Sequence, residues 1–172
     1  MSEGRAKALV TEPEELRAHS VALKNPTALA ERLNLSSPRS LLLVDPPTSL
    51  RALVDAQRPP GQAAEVVEAD AIRSIKSRFE AILVWRENRV GSRSLFDAVL
   101  KRLEPAGALW VVTAMRKVMG PSTPAVHRLE LSDLEKAFAG EGLVHDREAR
   151  VSAWHVGYRF VRRGTENGKR KT

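Results

Sequence analysis

The run Leu41-Leu42-Leu43-Val44-Asp45-Pro46-Pro47-Thr48-Ser49 holds the residues best placed for chemistry. Apolar residues that end in an acid and lead directly into a helical pattern read as the first strand of a parallel nucleotide-binding sheet, whose ligand sits beyond the carboxyl ends of the strands. A binding loop there uses glycines for close backbone approach and free N–H groups at the following helix N-terminus. Pro46 and Pro47 have no N–H and fix φ near about −65°, so this loop is stiff and two donors short. The same strand-end rule selects Thr48, the Glu68 to Asp70 stretch, Trp85, Arg86 and Thr113.

Other chemistry-bearing residues are fewer. Arg86, Arg89, Arg93, Arg116 and Lys117 would form a basic mouth suited to a phosphate or carboxylate if they converge at the strand ends, and a solvated rim if they do not. The histidines, His19, His127, His145 and His155, have no metal-binding spacing, and His145-Asp146 resembles an oriented base only as a dipeptide. No metal site and no catalytic residue is nominated. Neither a Gly-x-Ser-x-Gly elbow nor a phosphate-binding Walker loop is present. The chain has no cysteine, which excludes disulfides and thiolate chemistry.

The elements that position these residues follow from periodicity. Apolar runs predict strands at 40–44, 81–85 and 108–113 and a short one at 64–67, and two further strands at 143–151 and 155–162 form an antiparallel hairpin. Leu29 and Leu33 predict a short helix behind a Thr27 cap, and Leu50, Leu53 and Val54 a helix over 48–57. Leu95, Phe96, Val99, Leu100 and Leu103 share one face of a helix over 92–103, stopped at Pro105-Ala106-Gly107. Ser132 and Glu135 have capping-box spacing at the start of the last helix, which ends at Gly140-Glu141-Gly142. So short a stretch between Val67 and Ala81 predicts a sheet trimmed by one strand. The fold class is α/β, Rossmann-like, with a mostly parallel sheet, helices on both faces and a C-terminal antiparallel hairpin.

A length of 172 residues, 42% hydrophobic and 28% charged, suits one soluble domain. We expect an N-terminal arm at 1–24, an α/β domain at 25–163 and a basic tail at 164–172. No apolar stretch approaches the roughly 18 to 20 residues of a membrane span, no secretory h-region follows the first charges, and the cytoplasm is the expected location. Of the net charge of +7, the stretch from Arg162 to Thr172 carries +4, from Arg162, Arg163, Lys169, Arg170 and Lys171 against Glu166. Without an aromatic residue to stack on bases, such a tail supports at most weak, salt-sensitive contact with nucleic acid.

Three stretches resemble a class I S-adenosylmethionine-dependent methyltransferase. Leu103-Glu104-Pro105-Ala106-Gly107-Ala108-Leu109-Trp110 is similar to that superfamily's turn before its fifth strand. Phe138-Ala139-Gly140-Glu141-Gly142-Leu143 is similar to the helix end before its sixth strand, and Val156-Gly157-Tyr158-Arg159-Phe160-Val161-Arg162-Arg163 to its final strand. A second resemblance is to a family of short bacterial proteins of unknown function that keep this sheet without the glycine loop. It is carried by Arg32-Leu33-Asn34-Leu35-Ser36-Ser37-Pro38, Leu83-Val84-Trp85-Arg86 and Trp154-His155-Val156-Gly157-Tyr158-Arg159. The first of these stretches lacks the family's glycines, and the last has an extra residue.

The methyltransferase resemblance implies that an acid after the second strand, Glu68 or Asp70, would bind the cofactor ribose, and that Trp85-Arg86-Glu87-Asn88 ends the strand that faces substrate. The glycine-free first loop leads instead to a non-catalytic binding or interaction module as the main expectation. It would have no cofactor and would meet an unknown protein or small anionic ligand through Trp85, Arg86, Arg89, Arg116, Lys117 and the loop at 114–129. The alternative is a divergent methyltransferase that holds S-adenosylmethionine through Asp45, Thr48, Glu68, Asp70 and Thr113. A second alternative is weak nucleic-acid binding through the tail and the strand-end arginines.

Overall fold

Three runs in the chain are apolar on both sides of a strand and so must be covered twice. A computed structural model of the chain describes residues 22–115 and 128–162, and in it these runs occupy the middle of one six-stranded sheet. They are β1 (Leu41–Val44), β3 (Phe79–Trp85) and β4 (Leu103–Ala114), with the short edge strand β2 (Glu65–Val67) beside β1. β5 (Leu143–Arg150) and β6 (His155–Arg162) complete the order β2-β1-β3-β4-β6-β5. The first four strands pair in parallel, and β4–β6 and β6–β5 are antiparallel, as the apolar runs and the closing hairpin predict.

Helices α1 (Pro26–Leu33) and α2 (Thr48–Gln57) cover one face, where Leu29, Leu33, Leu50 and Val54 pack on Leu41, Leu43, Leu83, Trp110 and Val112. Helices α3 (Ser92–Leu100) and α4 (Leu131–Ala139) cover the other, where Phe96 and Phe138 meet Ile82, Val84, Val111 and Phe160. Edge-to-face contacts at 5.1 Å and 4.9 Å link Phe96 to Phe138 and Phe138 to Phe160. Between β2 and β3 lies one 3-10 segment, Ala69–Ser74, in place of a further strand and helix.

Three local readings are corrected. The Pro105-Ala106-Gly107 turn lies inside β4, because pairing of Leu103 with Phe79 and of Ala108 with Ala81 leaves residues 104–107 as a bulge opposite Glu80. The bulge needs Gly107, where a Cβ would sit 2.7 Å from Leu103 Cδ1 and 2.9 Å from the Glu80 carbonyl oxygen. Helix α4 begins one residue before Ser132, and Asp133 rather than Glu135 closes its capping box by accepting a 2.9 Å bond from Glu130 N. Thr27 lies inside α1, whose N-cap is Asn25 in a left-handed conformation without a side-chain cap.

At the amino ends of the strands, polar groups lock the layers together. Arg58, buried at the end of α2, donates to the carbonyls of Leu35 at 2.8 Å, Arg39 at 3.1 Å and Gln62. Trp110 Nε1 donates to Leu33 O at 3.1 Å, joining β4 to α1. Before α1, at the carboxyl end of the sheet, Leu23 bridges to Ser152, and Lys24 N donates to Val151 O. Gly107→Ala should cost about 2 kcal/mol by overpacking against backbone, and Trp110→Phe about 1 to 2 kcal/mol by orphaning a buried carbonyl. Urea unfolding of the two variants checks both values, and wild-type midpoints would contradict them.

Candidate functional site

Connections from β1 run to β2 on one side and, through β2, back to β3 on the other, so the strand order reverses between β1 and β3. At such a point the loops beyond the carboxyl ends diverge and leave a crevice. Asp45 stands at its base, directly after β1, with φ at +53°. That is the left-handed region, which glycine enters freely and which costs another residue about 1 to 2 kcal/mol, less for Asp and Asn. The loop thus makes a glycine-type turn with an acid.

Asp45 also ties β1 to β2. Its N–H donates to Val67 O at 3.0 Å, and its Oδ1 accepts from Ala69 N at 3.2 Å. Burial pushes its carboxyl above the usual range, the charges of Glu68 and Asp70 push the same way, and the Ala69 N–H and the Arg86 charge pull it back. Glu68 and Asp70 are both exposed, so three acids gather where β1 and β2 end.

Helix α2 starts at Thr48, which is exposed, behind the extended N-cap residue Pro47. Pro47 O accepts from the N–H groups of both Leu50 and Arg51, which leaves those of Thr48 and Ser49 pointing out of the helix end. The Ser49 hydroxyl oxygen is enclosed and has no hydrogen-bond partner among the described residues. The two prolines therefore remove donors from the loop itself, while the first helical turn retains its own.

The other sequence-selected residues are committed within the chain. Thr113 is buried and its hydroxyl donates to Leu129 O at 3.0 Å, so it pins the return of the chain from the 114–129 segment and presents no group to the crevice. Trp85 is buried against the His155 ring, with centroids 4.7 Å apart. Arg86 N donates to Val112 O at 2.8 Å, and its guanidinium donates to the carbonyls of Asn88 at 2.8 Å and Val90 at 2.6 Å. Arg89 faces Asp133 at 3.6 Å, and Arg93 is exposed on α3. Of the expected basic mouth, Arg86 is thus tied to backbone carbonyls and Arg89 faces an acid, and Arg116, Lys117 and the tail at 164–172 lie outside the described residues.

One constellation escaped the sequence reading. Glu87, two residues past β3, has Oε2 at 2.8 Å from His155 Nε2, and His155 Nδ1 lies 2.9 Å from Ser152 Oγ. Pairing of His155 with Ala114 carries the first residue of β6 to the carboxyl end of β4, beside the end of β3. The signal was the strand-end position of Glu87, and the missing information was that register. The dipeptide His145-Asp146, by contrast, is not an oriented base. Asp146 is paired with Arg159 at 2.9 Å and 2.6 Å, while the His145 ring packs on Tyr158 and Phe160.

Among the described residues, no group of three His, Asp or Glu could hold a metal ion, and no helix is long and apolar enough to cross a membrane. No family model matches the chain, and no curated protein matches it in sequence.

Solved structures match it in shape. A S-adenosylmethionine-dependent methyltransferase from Aquifex aeolicus superposes with a TM-score of 0.58 at 12% identity, over 93% of this chain and 98% of that one. Magnesium protoporphyrin IX methyltransferase from Synechocystis, solved with bound S-adenosylhomocysteine, gives 0.57 at 10% identity over 80% of each chain. The N-methyltransferase NodS from Bradyrhizobium japonicum gives 0.51 at 15% identity, over 81% of this chain and 98% of that one. These matches overturn the non-catalytic module as the main expectation. The chain has the Rossmann-like α/β fold of these methyltransferases, with a mostly parallel sheet closed by an antiparallel hairpin.

Proposed function

We propose that this protein is a divergent S-adenosylmethionine-dependent methyltransferase whose cofactor lies over the β1/β3 crevice. The observation that carries the reading is Asp45, a half-buried acid in a left-handed conformation at the point where the strand order reverses. Strained backbone and a carboxylate kept partly out of water both cost stability, and such features concentrate at binding sites.

The residues present fit this cofactor in charge and in donors. Asp45, Glu68 and Asp70 supply carboxylates for the ribose hydroxyls and a negative field for the positively charged sulfonium. Thr48 and Ser49 supply the first-turn N–H groups, and the enclosed Ser49 hydroxyl supplies a polar group with no partner among the described residues. Bound there, the cofactor supplies an activated methyl group. Pro46 and Pro47 hold the loop rigid, so the missing glycines are replaced by a turn that is already formed rather than by one that adapts.

Isothermal titration of the purified, cofactor-stripped protein with S-adenosylmethionine and S-adenosylhomocysteine tests the reading. Micromolar binding supports it, and silence at millimolar ligand sinks it. Asp70→Ala should weaken binding by roughly fivefold to tenfold, the loss of one charge-assisted hydrogen bond at an exposed site, and glycine at positions 46 and 47 should leave affinity similar or better.

Asp45 makes a separate prediction through pH. Because burial raises its carboxyl, the folded protein holds that proton more tightly than the unfolded chain does. The stability from the protonated form is present below the ordinary carboxylate range and is lost as pH rises through the raised value. Asp45→Asn cannot ionise and keeps the acceptor for Ala69 N–H. The variant should therefore be more stable than wild type at pH 7, with the gap closing below about pH 4. Urea unfolding across that range reads this directly, and a gap independent of pH would contradict it.

A further inference from the structure

At the end of the sheet opposite the crevice the chain gathers cations. Arg78 directly precedes β3, Arg102 directly precedes β4, and Arg162 closes the antiparallel β6, so three neighbouring strands each bring an arginine to this end. Arg73 and Lys76 join them from the segment between β2 and β3, and Lys101 from the C-cap of α3. A groove of about 640 Å³ lies among them, lined by Arg78, Lys101 and Arg162 together with Asp97 and Glu141.

These charges are held in place without being cancelled. Arg102 donates to the carbonyls of Ile75 at 3.0 Å, Ala98 at 2.9 Å and Arg73 at 3.0 Å, Arg162 to those of Glu104 at 3.1 Å and Pro105 at 3.2 Å, and Arg73 to Ser94 Oγ at 3.0 Å. Every one of these acceptors is neutral, and among the described residues none of the six cations is in an ion pair. Six cations against Asp97 and Glu141 give this end a net +4, whereas the described residues as a whole, with 19 Arg and Lys against 16 Asp and Glu, carry +3. Glu80 and Glu104 line a separate groove beside α1. The positive charge of the described residues is therefore concentrated at this one place.

Chemistry narrows the partner. Adjacent strands lie about 4.8 Å apart, so Arg78, Arg102 and Arg162 span roughly 10 Å, more than a single phosphate occupies. The exposed large apolar side chains among the described residues are Val66 on the edge strand β2 and Val90 beyond the carboxyl end of β3, so this end has none to enter a membrane or to centre a protein interface. Phe79, beside Arg78, is buried, which leaves no aromatic ring here to stack on an unpaired base. Arginine forks held at fixed positions suit phosphates that are themselves held at fixed spacing, as in a double helix. We propose that the amino end of the sheet is a docking surface for the phosphate backbone of duplex nucleic acid. It lies about 20 Å from the crevice, the length of the seven-residue β3, and uses none of the crevice residues, so the inference stands apart from the methyltransferase reading.

The test is fluorescence anisotropy of labelled DNA and RNA duplexes mixed with the full chain, without cofactor, the two arms showing which duplex is the source. Binding should weaken about a hundredfold between roughly 50 mM and 200 mM salt, as counterion release from about four phosphates requires. Lys76 and Lys101 are exposed, and their side chains bond nothing among the described residues. Lys76→Ala combined with Lys101→Ala should lower low-salt affinity about tenfold and reduce the salt slope by about two. Arg51→Ala combined with Arg147→Ala removes the same charge from exposed positions on α2 and β5, and should leave affinity within about twofold. Equal affinities of the two double variants would overturn the inference, as would the absence of duplex binding at low salt or equally tight binding of polyglutamate. None of these outcomes bears on the methyltransferase reading, which stands or falls on S-adenosylhomocysteine binding.

Discussion

The pairing of β1 with β3, Leu41 on Ala81 through Val44 on Val84, is the constraint on which the rest of the structure depends. Both strands are apolar on both sides, so helices must cover each face, and the connections that leave β1 must diverge. That divergence opens the crevice and sets the end of β1 beside the end of β3. Asp45 and Glu87 stand past neighbouring strand ends only because these two strands pair.

The two ends of the sheet serve different ends. Where the strands begin, Arg58 satisfies three carbonyls, Arg39 N donates to Glu80 Oε1 at 2.9 Å, and Glu80 N donates to Ser40 Oγ at 2.9 Å. These bonds close the layers and leave little room for change. Where the strands finish, acids gather, a non-glycine residue takes a left-handed backbone, and the buried His155 is bonded to the mostly buried Glu87.

Much of this was legible in the sequence, for physical reasons that also explain the misses. Helix α2 ran from Thr48 to Gln57 as its spacing predicts, because its apolar stripe and its flanking prolines agree. Helix α3 ended three residues early because Leu103, on the same helical face as Leu100, is drawn into the ladder opposite Phe79. Asp45, Glu68 and Asp70 could be selected from strand ends alone. His155 and Glu87, 68 positions apart, could not, because only the antiparallel register of β6 brings them together. The inference from missing glycines to a missing turn failed for a simpler reason. Aspartate tolerates the left-handed conformation better than most residues, so the turn survives the loss of the glycine.

Backbone amide spectra of the isotope-labelled chain, recorded as S-adenosylhomocysteine is added, test the central claim most directly. The account predicts shifts concentrated at Asp45, Ser49, Ala69 and Arg86, around the end of β1, with the amino ends of the strands unmoved. Shifts centred elsewhere, or none at saturating ligand, would contradict it.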